Sequence, residues 1–252
     1  MGTLRPSLPA VLAAGALWAW ATAAAAENIA ECDRGAAALQ GGDYKAADAH
    51  YSLCIEKGKL SPQNLLVAHF NRAIVRYGNG DFDGALGDFS KAIEIQPALP
   101  DAYFYRAQVR VKKGQSDRAI DDYTQGLKLR PDAAAYFARG RLWHEKDQLG
   151  DAIQDYSEAI KLDATLAEAY NNRGNALRAR LELQEAIADY DAAVQLQPDN
   201  HLYYANRAGV YDQLDEIELA QRDFRKALDL GSTNPMVSAK LMEYELSKKR
   251  SK

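Results

Sequence analysis

The sequence predicts an all-α protein, a solenoid of six similar helical hairpins closed by one further helix. Three observations carry that prediction. The composition favours helices: alanine, leucine and long charged residues are abundant, charged residues make up 26%, and only eight prolines interrupt 252 residues. An arginine followed by glycine or alanine recurs at Arg34, Arg72, Arg106, Arg139, Arg173 and Arg207, at intervals of 38, 34, 33, 34 and 34 residues. Thirteen residues after each arginine stands an alanine, with an aromatic four positions on and another small residue three further, the spacing of one helical face.

Taken in order, the first hairpin (27–65) has Glu31, Arg34 and Gly35 on its first helix, a turn at Gln40 to Asp43, then Ala47, Tyr51 and Cys54. The second (66–99) has His69, Arg72 and Ala73, a turn at Gly78 to Asp81, then Ala85, Phe89 and Ala92. The third (100–132) has Tyr103, Arg106 and Ala107, then Ala119, Tyr123 and Gly126. In the fourth (133–166) these become Tyr136, Arg139 and Gly140 with Ala152, Tyr156 and Ala159. The fifth (167–200) reads Tyr170, Arg173 and Gly174 with Ala186, Tyr190 and Ala193, and the sixth (201–234) Tyr204, Arg207 and Ala208 with Ala220, Phe224 and Ala227. Pro97, Pro131 and Pro198 stop second helices, as proline does just past a helix end.

This pattern resembles the tetratricopeptide repeat, whose period it shares, from residue 27 to about residue 233. The resemblance implies a right-handed α-solenoid whose first helices line a concave groove that holds a protein or peptide. The first repeat departs from the pattern, with Glu31 in the aromatic position and an insertion around Gly58 to Pro62; the sixth ends in Gly231-Ser232 rather than proline. Terminal repeats are expected to be atypical because one side of each has no neighbour. Residues 235–252 read as a capping helix, with Val237, Leu241 and Tyr244 on one face, followed by a basic tail that frays from Ser247.

Residues 1–26 read as an export signal. Arg5 is the positive start, Leu8 to Trp20 the apolar stretch, and Ala24-Ala25-Ala26 the cleavage pattern. The competing reading is an uncleaved membrane anchor, since the apolar run approaches the ~18 residues that span a bilayer. Cleavage implies a periplasmic or secreted address with no membrane span in the mature chain. Export would permit a disulfide between Cys32 and Cys54, the alternative being two small residues buried in a helix interface.

The repeated arginines and the aspartates before the second-helix aromatics recur with the architecture. The pairs Arg72–Asp88, Arg106–Asp122, Arg139–Asp155, Arg173–Asp189 and Arg207–Asp223 are therefore expected as structural ion pairs, not as a ladder for a polyanion. Positions that vary between repeats are the candidates for recognition. The resemblance puts the residue after each leading aromatic, and the one four further on, in the groove: Phe70 and Ile74, Phe104 and Gln108, Phe137 and Arg141, Asn171 and Asn175. Asn172, Arg178 and Asn206 lie beside them. The phenylalanines would form an apolar strip and the asparagines an amide ladder able to donate to and accept from a peptide backbone. The competing reading packs the phenylalanines between helices and leaves the asparagines solvated.

A formal charge of −4 without a basic stripe argues against nucleic acid. No nucleotide-binding loop, nucleophile elbow or metal-binding His pair occurs, so neither catalysis, cofactor nor metal is expected. The expected function is that of a non-catalytic scaffold or adaptor; a self-associating structural subunit of an envelope complex is the alternative, with the oligomeric state open.

Overall fold

A computed structural model describes residues 26–57 and 59–250, so the expected signal segment lies outside the described residues apart from Ala26. The described chain is helical with no strand, and it divides into two compact units, one ending at Arg130 and the other beginning at Pro131. The first unit holds three hairpins: α1 (Ala26–Gln40) with α2 (Tyr44–Glu56), α3 (Pro62–Asn79) with α4 (Phe82–Ile95), and α5 (Pro100–Lys112) with α6 (Ser116–Leu129). The second holds α7 (Ala133–Glu145) with α8 (Leu149–Leu162), α9 (Ala167–Ala179) with α10 (Leu183–Leu196), α11 (His201–Gln213) with α12 (Ile217–Asp229), and the closing helix α13 (Pro235–Arg250). That last helix continues through Ser247 to Arg250, where fraying was expected.

Each hairpin turns by the same device. A residue one or two positions past the first helix lies in the left-handed region, at Gly42, Gly80, Gly114, Asp147, Leu181 and Asp215. There the following N–H reaches back to a carbonyl of the last turn, as Glu182 N–H does to Leu177 at 3.0 Å and Gln148 N–H to Trp143 at 2.9 Å. Glycine adopts this conformation without cost; leucine does not. Asp43 and Asp81 cap the following helices by accepting from the Ala46 and Gly84 N–H groups, both at 2.9 Å. In the later hairpins no side chain caps the second helix, but Asp117, Asp151, Glu185 and Glu218 put negative charge in its first turn.

The repeated small–aromatic–small face is the core. The alanines that open it are fully buried in all six hairpins, and Tyr51, Phe89, Tyr123, Tyr156, Tyr190 and Phe224 are buried beside them. Small residues on the first helix make room for the rings. A Cβ added at Gly174 would come within 2.9 Å of the Tyr190 ring, and one at Gly140 equally close to Tyr156. The closing helix turns Val237, Leu241 and Tyr244 onto Ala220, Phe224 and Ala227, covering the last hairpin as the sequence predicts.

Candidate functional site

The five Arg–Asp pairs hold each first helix to its own second helix. Arg72 grips Asp88 with Nε at 2.8 Å and NH2 at 2.7 Å, and Arg106–Asp122, Arg139–Asp155 and Arg173–Asp189 repeat this two-point geometry. Arg207 donates through Nε to Asp223 at 2.6 Å and through NH1 to Asp191 at 2.5 Å. The leading tyrosines lie under the guanidinium groups, as Tyr170 does under Arg173 at 5.7 Å. In the first hairpin Glu31 replaces the tyrosine and meets both Arg34 and His50.

These pairs differ electrostatically. Burial raises the pKa of Asp88, but hydrogen bonds from His69 and Arg72 and the charge of Arg76 outweigh it and hold the carboxyl below its ordinary value. At Asp155 burial wins over Arg139, and the carboxyl titrates above its ordinary value. Burial also works against the charge of Arg207, yet Asp223 and Asp191 raise its pKa above the ordinary arginine value.

The recognition residues divide between the units. In the first, the expected apolar strip is not exposed. Phe70 is 9% exposed and packs edge-on against Phe89 and Tyr105, with ring centres 5.6 Å from each. Ile74 is buried in the same cluster. Phe104 is 6% exposed and reaches so far inward that a Cβ at Gly126 would come within 2.4 Å of its ring. That contact explains why glycine stands where other repeats have alanine or cysteine. Phe70, Ile74 and Phe104 are therefore packing residues, and the reading of them as ligand contacts is corrected; Gln108 alone of the unit's candidates is half-buried.

In the second unit Phe137 is half-buried against Tyr156 at 5.9 Å, and Arg141 is exposed, 3.9 Å from Glu145. The asparagines come together. Asn206 on α11 donates through Nδ2 to Asn171 Oδ1 on α9 at 2.8 Å, and Asn171 donates to Asn172 Oδ1 at 3.2 Å. Asn175 Oδ1 accepts from the buried Tyr190 hydroxyl at 2.8 Å. Burial pushes the pKa of that tyrosine up, so it stays a donor. Arg178 donates through Nε to Gln213 at 3.2 Å, and its guanidinium lies against Gly209. Asn175, Arg178, Ala179, Leu181 and Gln213 line one open depression. The repeat pattern does not single out Leu181 or Gly209. The signal available there is a leucine where the first three repeats have glycine and the fourth aspartate, and a glycine where the other repeats carry side chains.

Cys32 and Cys54 sit at disulfide distance, fully buried, with Cα atoms 5.4 Å apart. Among the described residues there is no cluster of metal-ligating side chains, and no helix is long and apolar enough to cross a membrane.

Three tetratricopeptide family models match the chain: one at residues 73–114 and 140–180, a second at 167–200 and a third at 100–132 and 202–232. The chain belongs to the tetratricopeptide repeat family. Among solved structures it is similar to MamA (residue 41 to the end) of Desulfovibrio magneticus RS-1, at 20% identity over 66% of this chain and 95% of that one, with a TM-score of 0.63. It is also similar to YrrB, described as a tetratricopeptide protein with an unusual peptide-binding site: 21% identity, 77% of this chain, 97% of that one, TM-score 0.67. A third is a tetratricopeptide protein from Parabacteroides merdae ATCC 43184: 17% identity, 85% and 97% covered, TM-score 0.65. At these identities the likeness is one of fold.

Proposed function

We propose that this protein is an exported, non-catalytic adaptor that holds an extended segment of a partner protein against the first-helix face of the unit formed by residues 131–252. The observation that carries this reading is the amide set on α9 and α11. Its internal bonds use Asn171 on both sides, and they leave the Nδ2 donors of Asn172 and Asn175 and the Oδ1 acceptor of Asn206 without partners among the described residues. Such groups can pair with the N–H and C=O of a peptide backbone with little regard to its sequence. YrrB's peptide-binding site supports the same class of ligand. The sequence pattern of residues 1–26 and the buried cysteine pair support export, since disulfides persist in oxidising compartments.

The test is affinity capture from an envelope extract with wild-type protein and an Asn172→Ala/Asn175→Ala/Gln213→Ala variant, each first checked for native helicity by circular dichroism. A partner held by the wild type and lost with the variant supports the reading; recovery of the same proteins by both contradicts it. Self-association is the second reading. It is favoured by the exposed Met236, Met242 and Leu246 of α13, and a concentration-independent monomer in light scattering would count against it.

A further inference from the structure

The depression on α9 and α11 contains two side chains whose identity the fold does not dictate. Arg178 is a half-buried guanidinium that meets no carboxylate among the described residues; its single hydrogen bond is to the neutral Gln213. The framework arginines of the second to sixth repeats, and Arg76 and Arg110 as well, each meet an aspartate. The seat of Arg178 is made by an absence. The other repeats place Ala36, Ile74, Gln108, Arg141 and Asn175 where α11 has Gly209, and a Cβ at Gly209 would lie 3.0 Å from Arg178 NH1. Glycine in the middle of a helix lowers stability relative to alanine, so α11 gives up helix stability at the one point where the guanidinium is laid down.

The second feature is Leu181. It is 76% exposed, it occupies the left-handed region at φ 63°, and it lines the same depression. The left-handed turn recurs in every hairpin, but glycine or aspartate fills it elsewhere, so the turn explains the conformation and not the leucine.

We propose that Arg178 is the seat for a carboxylate of the bound segment, with Leu181 beside it as an apolar contact, so the partner carries an acidic group next to an apolar side chain. This rests on the reading of the α9/α11 face as a peptide site and adds the chemistry that selects the peptide. The planar guanidinium offers paired N–H donors that fit a carboxylate, and the Nδ2 of Asn175 in the same depression supplies a neutral donor. The carboxylate can be an Asp or Glu side chain or a free C-terminus.

The two sources are separated by four pools of fluorescein-labelled nonapeptides with otherwise randomised positions. Two contain Asp and Glu and two contain Asn and Gln in their place; one of each kind has a free and one an amidated C-terminus. Binding is followed by fluorescence anisotropy. Wild-type protein is expected to bind carboxylate-bearing pools about tenfold more tightly than the fully neutral pool, as a charge-assisted pair allows. The preference should follow Asp and Glu content if side chains supply the group, and the free terminus if the chain end does. Arg178→Gln should abolish the preference while binding of the neutral pool persists, and Arg178→Lys should restore part of it. Gly209→Ala should weaken the preference with Arg178 still present. Binding of all four pools alike by wild type, or a preference that survives Arg178→Gln, overturns the carboxylate proposal and leaves the peptide reading standing. If wild type binds no pool, both fall.

Discussion

Replacing Leu181 with glycine should stabilise the protein while weakening the site. In the left-handed region an L-residue with a Cβ costs roughly 1–2 kcal/mol relative to its ordinary conformation, and glycine removes that cost. Set against this is the greater freedom of glycine in the unfolded chain, about 0.4–1 kcal/mol. Little burial is lost, because the side chain is 76% exposed. The net expectation is a gain of about 0.5–1 kcal/mol, or roughly 1–4 °C for a chain of this length. Urea unfolding of the purified protein followed by circular dichroism reads it, with Asp147→Gly and Asp215→Gly as internal comparisons. Those two occupy the same turn position at φ 59° and 56°, but aspartate tolerates the region better, so their gains should be smaller. A Leu181→Gly variant no more stable than wild type, alongside the expected gains at the two aspartates, would refute the claim that Leu181 is a strained residue with little packing role.

Four further outcomes follow from the same geometry. Tyr156→Phe should be neutral or stabilising by about 1 kcal/mol, because its buried hydroxyl has no partner, whereas Tyr190→Phe should destabilise by a similar amount through loss of the bond to Asn175; paired denaturation curves check both. Gly126→Ala should cost about 1–3 kcal/mol through its collision with Phe104, seen as a lower urea midpoint. If the cysteine pair is oxidised, its reduction should remove about 3 kcal/mol, given a separation of 22 residues, and a Cys32→Ala/Cys54→Ala variant should be insensitive to reductant. Because Asp88 titrates below its ordinary value of 3.8 in the folded protein, its contribution is present above that value and lost as pH falls through the folded one. Asp88→Asn should therefore flatten the loss of stability in acid, measured as the denaturant midpoint against pH.

The hairpins were legible in the sequence because their determinants are local and repeated. The arginine, the small residue after it and the face thirteen residues on recur six times, and Arg–Asp partners lie sixteen residues apart in the last five repeats. The asparagines were legible for a different reason: they vary between repeats at positions where the frame does not dictate identity. The phenylalanines misled because the same column is not equally exposed in every repeat. Phe70 meets Tyr105 of the following repeat and turns inward, Phe104 sinks where Gly126 leaves room, and Phe137 stays half-buried. A neighbour's side chain decides this, and periodicity says nothing about it. Leu181 escaped notice because its turn reads as a turn whichever residue fills it; only the dihedral angle exposes the strain.

The central claim is that a protein segment lies on the α9/α11 face. A photoreactive benzoylphenylalanine placed at Asn175, and separately at Arg225 on α12 away from that depression, tests it in extract under illumination. The account predicts a discrete covalent adduct at Asn175, competed by unlabelled protein and absent at Arg225. Adduct formation at Arg225 with none at Asn175 would contradict it.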